Sequence, residues 1–321
     1  MKRVLITTYP GAYIHHGGGE REIHLLKDAL NGAGIISDLY GPTSLPIDEY
    51  DELIHFSTIN GSDLIVDAAS GGGRRRILWP NLWFVTPPSP EHLDYLRHLV
   101  SRFDAVVFKS SAEERLFREY FDISQMDVIH IVPLVSRKFF RHGVSAVFKE
   151  SYGLEDYAIW PGIIEPQKNQ LTAIRAFNEL DTPLVISGQV RCRDYFEQCR
   201  AEAGKNVHFI PSMPFGSELH VSALAHCRLF IELPLDFPGT SALEAAVLGC
   251  RLLLSRTDWV SEFLQDRCVQ VSPLDVAEVR KEVLASFSKP DKFSTTMDIA
   301  HYTDFIPDTA ATPLIEYLTR C

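Results

Sequence analysis

Short apolar segments alternate with amphipathic segments along the whole chain, and this alternation limits the possible folds more than any other feature. The apolar "RVLITTY", for example, precedes "EREIHLLKDALNGAG", whose apolar residues share one helical face. That face consists of Ile23, Leu26, Ala29 and Leu30. Near-continuous apolar strands separated by helices predict parallel sheets covered on both faces. We therefore predict an α/β fold.

The alternation is interrupted once, by a polar stretch at about residues 137–156, and then restarts. A chain of 321 residues is long enough for two domains of about 150 residues each. We predict two doubly wound, Rossmann-like domains, residues 1–150 and 151–321, that face each other across a cleft. Parallel sheets bind ligands beyond the carboxyl ends of their strands, so the cleft is the expected site.

Composition argues against several classes of function. The formal net charge of −11 disfavours a nucleic-acid-binding protein, which needs a positive surface. No apolar run reaches the roughly 18–20 residues that span a bilayer, and "MKRVLITTYPG" is typical of a first strand rather than a signal peptide. The six cysteines lack a CxxC pair and metal-like spacing, which is typical of reduced thiols in a cytoplasmic protein.

The segment "LDFPGTSALEAAVLG", residues 235–249, places Asp236 and Glu244 on either side of a glycine turn between an apolar strand and a helix. Gly239 permits a tight turn, and Thr240 or Ser241 can cap the helix. A helix start with free N–H groups binds phosphate, and Glu244 can accept hydrogen bonds from sugar hydroxyls. The alternative is a capped helix with an acid that favours its dipole.

Two further segments contain possible anion-binding residues. In "PGIIEPQKNQLTAIRAF", Lys168 follows a strand and turn at a helix start, where a cation is favourable beside a bound anion. A solvated lysine is the alternative. In "HHGGGERE", consecutive glycines allow the backbone to approach an anion closely, although the GxGxxG spacing of a dinucleotide site is absent. A surface loop is the alternative there.

Taken in order, these segments resemble the GT-B family of retaining, nucleotide-sugar-dependent glycosyltransferases (group 1, family 4-like). "GGGERE" resembles the family's first loop and helix, "VIHIVPLVSRKFF" its interdomain segment, and "GIIEPQKNQLTAIRAF" its donor-phosphate loop. "LDFPGTSALEAAVLGCRLLLS" resembles its motif of two acids separated by seven residues. The resemblance covers most of the chain.

The resemblance implies a role for each matching residue. Lys168 holds the donor diphosphate, Glu244 binds the ribose hydroxyls, and Asp236 lies near the transferred sugar. All three are expected to support catalysis. The backbone amides of Gly239, Thr240 and Ser241 are expected to donate to the phosphates. Gly18 and Gly19 are expected to close on the phosphates from the first domain. Ser212 and Met213 are expected to border the base.

The sequence departs from the family at three positions. Ile163 stands where the family has a phosphate-binding arginine, so one phosphate-neutralising charge is missing unless Arg191 or Arg193 replaces it. Asp236 replaces a glutamate. Asn81 stands where a first-domain histidine is usual, with His15, His16 and His55 as other candidates.

The resemblance implies transfer of a sugar from a nucleotide-diphosphate sugar to a glycan, lipid-linked or small-molecule acceptor. No metal and no cofactor are expected, because cations and helix dipoles neutralise the leaving diphosphate. The resemblance also implies that the donor's own phosphate assists deprotonation of the acceptor. We expect a cytoplasmic protein, compatible with association at the inner membrane surface, whose last helix (about 310–321) crosses back to the first domain. The alternatives are a nucleotide-sugar epimerase of the same fold and a non-catalytic nucleotide-sugar-binding protein.

Overall fold

The computed structural model describes residues 2–14, 17–69, 71–141, 143–289 and 299–320. The strands in these ranges are β1 (Arg3–Thr8), β2 (Ile36–Leu39), β3 (Glu52–Phe56), β4 (Arg75–Trp79), β5 (Ala105–Phe108), β6 (Asp127–His130), β7 (Ala158–Pro161), β8 (Leu184–Ser187), β9 (Val207–Ile210), β10 (Leu229–Glu232), β11 (Leu252–Ser255) and β12 (Val269–Val271). Each lies within an apolar segment that the sequence predicts to be a strand.

The α-helices are α1 (Gly18–Gly32), α2 (Ser62–Ala68), α3 (Pro90–Val100), α4 (Ser111–Tyr120), α5 (Val147–Tyr152), α6 (Gln170–Phe177), α7 (Arg193–Glu202), α8 (Glu218–Ala225), α9 (Thr240–Val247), α10 (Asp258–Phe263), α11 (Val276–Ser288), α12 (Ile299–Tyr302), α13 (Pro307–Ala310) and α14 (Thr312–Thr319). The 3-10 helices are Ile47–Glu49, Arg137–Phe139, Pro166–Lys168, Gln265–Arg267 and Thr303–Phe305.

The first of two compact units comprises Met1–Val135 and Thr303–Cys321. Its strands form one parallel sheet in the order β2-β1-β3-β4-β5-β6. The predicted apolar face of α1 is confirmed, because all four of its residues are at most 2% exposed. Since helices cover these strands, the sheet is buried and its carboxyl edge is the part available to ligands.

The last described helix, α14, completes the core of this first unit. Leu314 and Leu318 are both 0% exposed and belong to the same apolar cluster as Val4 of β1. The Tyr317 hydroxyl donates to Asp127 Oδ2 of β6 at 2.9 Å, which ties the helix to the edge strand. A segment more than 300 residues away in sequence therefore packs against the first strand.

The second unit comprises Ser136–Tyr302, and its parallel sheet has the order β12-β11-β10-β7-β8-β9. This is the strand order of a Rossmann sheet, with β7 and β10 as central neighbours. The predicted α/β fold with two Rossmann-like parallel sheets is confirmed. The adjacency of β7 and β10 makes the loops that follow them start side by side.

Candidate functional site

The strand order of the second unit reverses between β7 and β10. From β7 the chain runs outward to β8 and β9, and from β10 it runs outward to β11 and β12 on the other side. Ligands of such sheets bind in the crevice outside the carboxyl ends of the strands at this reversal. Lys168 lies in the loop after β7 and Asp236 in the loop after β10.

The loop after β7 differs in detail from the sequence-based expectation. Lys168 does not begin the helix: it ends the 3-10 turn Pro166–Lys168, and α6 begins at Gln170. Asn169 between them has φ 59°, a left-handed conformation that asparagine tolerates. Its side-chain amide donates to Leu233 O at 3.0 Å, which anchors this turn to the end of β10.

An ion pair joins the two loops. Lys168 Nζ lies 3.1 Å from Asp236 Oδ2 and 3.2 Å from Oδ1. The Leu235 N–H donates to Gln167 O at 2.9 Å, so a backbone hydrogen bond fixes the approach of the loops. The Lys168 and Asp236 side chains are 28% and 14% exposed, respectively, so solvent and ligands can reach both.

The start of α9 also differs from expectation. Gly239 is the N-cap residue and makes no side-chain capping bond, so neither Thr240 nor Ser241 is the cap. Instead, the Ser241 hydroxyl donates to Glu232 Oε1 at 2.7 Å, because that carboxyl is buried at the end of β10 and needs a donor. Since no capping side chain covers the helix start, its backbone N–H groups are suited to an anion. Glu244, on the fifth residue of α9, is only 2% exposed.

Glu232 is a site residue that the sequence argument missed. The residue is 7% exposed, and burial raises the pKa of its carboxyl to about 7, against the opposing influence of the Ser241 hydroxyl and of Lys168. Its position in the sequence was a usable signal, because an acidic residue at the end of the apolar strand "RLFIE" is expected to be buried. Burying a charge costs free energy unless the charge has a partner. Lys168, Asp236, Ser241 and Glu232 thus form one connected group.

The two residues expected beside the base lie further along the same sheet edge. Ser212 and Met213 follow the edge strand β9, which is two strands from β7, or about 10 Å at the usual strand spacing. Ser212 is exposed and Met213 is 6% exposed. Their position on the carboxyl edge is compatible with the base-binding role, which stays a prediction.

The two arginines proposed to replace the family's arginine differ in position. Arg191 Nη1 lies 3.1 Å from Glu165 Oε2, in the loop that contains Lys168. Arg193 pairs with Glu197 on its own helix and is 74% exposed. Arg191 is therefore the better-placed candidate for a ligand at this loop.

In the first unit, the strand order reverses between β1 and β3, and the predicted glycines follow β1. Gly18 and Gly19 begin α1, and the Gly17 N–H donates to Glu20 Oε2 at 2.8 Å. A Cβ at Gly19 would lie 2.6 Å from the Phe56 ring of β3, so packing within the unit already requires glycine there. The role of these two glycines beside a phosphate stays a prediction.

A buried charged cluster occupies the carboxyl edge of the first sheet. Lys109 Nζ, directly after β5, lies 2.6 Å from Glu22 Oε2 and 3.1 Å from Asn81 Oδ1. Asn81 has φ 46°, a left-handed conformation held in place by this contact. Burial raises the pKa of the neighbouring Glu113 to about 7, partly offset by Lys109. The cluster fixes Asn81, the residue that stands in place of the expected histidine.

His55, another candidate histidine, does not add to this cluster. His55 is fully buried, its Nδ1 lies 2.8 Å from Thr7 Oγ1, and burial lowers its pKa to about 4. It is therefore a neutral core residue at physiological pH. His15 and His16 lie outside the described residues.

The sequence matches no protein-family model and no curated protein. Several solved structures are nevertheless similar to this chain. HepE from Anabaena, in complex with UDP and glucose, has a TM-score of 0.82 and 14% identity, covering 100% of both chains. Sucrose-phosphate synthase from Thermosynechococcus elongatus has a TM-score of 0.72 and 14% identity, covering 99% of this chain and 94% of that one. UDP-GlcNAc 2-epimerase from Methanocaldococcus jannaschii has a TM-score of 0.58 and 11% identity, covering 100% of both.

The chain thus has the GT-B fold, in which each of two units is a Rossmann-like sheet with flanking helices. At these identities the similarity concerns the fold, and the activity has to be argued from the site. Within the described ranges, no helix is long and apolar enough to cross a membrane. In the same ranges, no group of three or more histidine, cysteine or acidic side chains is arranged to hold a metal ion.

Proposed function

We propose that the protein is a retaining glycosyltransferase that moves a sugar from a nucleoside diphosphate sugar to a glycan, lipid-linked or small-molecule acceptor. The observation that carries this proposal is the meeting of Lys168, Asp236 and the start of α9 at the strand-order reversal of the second unit. Two of the structural neighbours, HepE with UDP and glucose and sucrose-phosphate synthase, support this ligand class.

Lys168 and the start of α9 are suited to a diphosphate. The backbone N–H groups of Gly239, Thr240 and Ser241 lie at the positive end of the helix dipole, where anions are stabilised. Lys168 adds a full positive charge that is partly exposed and held by a carboxylate rather than by the core. On binding, the ammonium exchanges part of its contact with Asp236 for a phosphate oxygen.

The two acids are suited to sugar hydroxyls. In this proposal Asp236 accepts hydrogen bonds from the transferred sugar, because its 14% exposed side chain lies at the mouth of the crevice. Glu244 accepts bonds from the ribose, and its burial strengthens any bond that a well-placed hydroxyl makes. Ser212 and Met213 border the base at the outer strand.

The chemical step then needs positioning and charge stabilisation more than protein acid–base groups. The bond between the sugar's anomeric carbon and the diphosphate oxygen breaks, and a bond to the acceptor oxygen forms on the same face. The acceptor's proton passes to the leaving diphosphate. Lys168 and the α9 amides stabilise the charge that develops on that group. No metal and no further cofactor take part in this scheme.

The setting proposed for the reaction is the cytoplasm, with acceptor-dependent association at the inner membrane surface. The five cysteines among the described residues are all free thiols, which supports a reducing compartment.

The test is incubation of the purified protein with a panel of UDP-, ADP-, GDP- and dTDP-sugars, with and without candidate acceptors. Transfer with retained anomeric configuration, or slow donor hydrolysis, supports the proposal. Interconversion of sugars supports the epimerase alternative, and nucleotide binding without turnover supports a non-catalytic protein. Turnover should persist in EDTA; loss that Mg²⁺ or Mn²⁺ reverses would contradict the metal-independent scheme.

A further inference from the structure

Glu232 has one hydrogen-bonded oxygen and one without a partner. Oε1 accepts from the Ser241 hydroxyl at 2.7 Å, whereas Oε2 is buried and has no hydrogen-bond partner among the described residues. Buried polar atoms without partners are rare in native proteins and ask for an explanation. The position of Glu232, at the end of β10 and beside the start of α9, suggests that a ligand supplies that partner.

Burial, rather than the surrounding charges, favours the neutral form of the Glu232 carboxyl. Among the described groups, Lys168 favours its ionised form, whereas the carboxylate of Asp236 disfavours it. The Gly239 backbone and the Ser241 hydroxyl favour ionisation, but burial outweighs both and raises the pKa to about 7. Because Lys168 is already paired with Asp236 at 3.1 Å, an ionised Glu232 would place two carboxylates against one cation.

A diphosphate would shift this balance further toward the neutral acid. It brings additional negative charge to Lys168 and to the start of α9, both of which lie beside Glu232. A nearby like charge disfavours ionisation of a carboxyl group. A protonated carboxyl, in contrast, has an O–H donor to offer a phosphate oxygen.

We propose that Glu232 takes up a proton when a nucleoside diphosphate binds and donates that proton in a hydrogen bond from Oε2 to the ligand. The inference rests on the proposed function, because it assumes that the crevice binds the donor's diphosphate. It makes the affinity of the site dependent on pH. If Glu232 serves only to hold Ser241, ligand binding involves no proton uptake at this residue.

The experiment is isothermal titration calorimetry of the full chain with UDP, ADP and GDP at pH 6.5. The tightest ligand is then titrated at pH 7.5–9 in buffers of different ionisation enthalpy. The expected result is uptake of nearly one proton per ligand at about pH 8, with an affinity that falls about tenfold per pH unit above the free pKa. In this range the ligand's phosphates are almost fully ionised, so a slope that Glu232→Gln abolishes reports on the protein.

The variant Glu232→Gln should bind without proton uptake and with nearly constant affinity between pH 7.5 and 9. A matched control is Glu113→Gln, which replaces the other buried glutamic acid whose pKa is raised to about 7, in the first unit. This control should keep the wild-type proton uptake. Circular dichroism and urea unfolding show whether each variant is folded. If a variant is not folded, proton uptake by the wild-type protein still tests the proposal.

The outcomes separate the two proposals. Absence of binding by any of the three nucleotides at every pH contradicts the proposed function and, with it, the role of Glu232. Binding by the wild type without proton uptake and without a pH slope contradicts the role of Glu232 alone. An unchanged slope in folded Glu232→Gln also overturns it, since another group would then be titrating.

Discussion

Each unit contains a lysine–carboxylate pair at the carboxyl edge of its sheet, but the two pairs differ in exposure. Lys109 and Glu22 lie 2.6 Å apart, and their side chains are 8% and 4% exposed. Lys168 and Asp236 lie 3.1 Å apart, at 28% and 14%. The first pair is buried within its own unit, whereas the second is partly exposed and accessible to a ligand.

The neighbouring buried acids show the same difference. Both Glu113 and Glu232 have a pKa raised to about 7 by burial. Glu113 accepts backbone N–H groups on both oxygens, from Leu82 at 3.1 Å and from Lys109 at 3.2 Å. Glu232 leaves Oε2 without a partner. Similar pKa shifts therefore accompany a structural acid in one unit and a candidate ligand-binding acid in the other.

The largest expected effect tests the enclosed pair. Lys109→Ala leaves the Glu22 carboxylate buried without its cation, so the free energy of unfolding should fall by about 3–5 kcal/mol. Urea unfolding followed by circular dichroism measures this. Lys205→Ala, at an exposed lysine before β9, is the control and should change stability little. A loss below about 1 kcal/mol for Lys109→Ala would mean that the enclosed pair contributes no more to stability than the partly exposed Lys168–Asp236 pair.

The accessible pair should show the opposite behaviour. Lys168→Ala should weaken nucleoside diphosphate binding by about 1.5–3 kcal/mol, the magnitude of a charge-assisted hydrogen bond. Its effect on unfolding should stay near or below about 1 kcal/mol, because the pair is partly solvated. Calorimetry and urea unfolding measure the two effects. Wild-type affinity in the folded variant would remove Lys168 from the site.

A smaller effect distinguishes the two buried acids. Ser241→Ala removes the donor to Glu232 Oε1, so stability should fall by about 0.5–1.5 kcal/mol. Because that bond favours the ionised form, its loss raises the pKa of Glu232, and nucleotide affinity should begin to fall at a higher pH. Ser110→Ala is the matched control, because Ser110 Oγ accepts from the Glu113 N–H. The hydrogen bonds described for the Glu113 carboxyl come instead from the Leu82 and Lys109 N–H groups. An identical pH profile in Ser241→Ala and wild type would contradict the coupling.

The smallest expected effect concerns the two arginines. Arg191→Ala should weaken nucleotide binding by about 0.5–1 kcal/mol, roughly two- to fivefold, if Arg191 turns from Glu165 toward the ligand. Arg193→Ala should leave binding unchanged, since Arg193 pairs on its own helix. If both variants bind the nucleotide with the same affinity, Arg191 does not contact the ligand and the prediction is wrong.

Sequence patterns predicted the fold more fully than the site. Every strand lies in a segment predicted from its apolar residues, because burial on both faces of a parallel sheet leaves a strong signal. The resemblance put Lys168 and Asp236 in one expected site, but it did not predict the ion pair between them. The left-handed Asn169, which ends the turn before α6, depends on a contact with Leu233 that local sequence does not encode.

Glu232 escaped prediction for a related reason. Its neighbours Ser241 and Lys168 come from loops that follow different strands, and only the strand order brings them together. Likewise, Ser241 has the residue type of a helix cap, but a buried carboxyl competes successfully for its hydroxyl.

The packing of α14 has a consequence for protein synthesis. Leu314 and Leu318 fill the same core as Val4, so the first unit cannot finish folding until α14 has left the ribosome. By then all of residues 136–302 have been made, and they form a continuous unit. Domains usually fold in the order in which they emerge. Here we expect the later-emerging unit to reach its native state first, while the nascent first sheet waits with an uncovered apolar face that chaperones can bind.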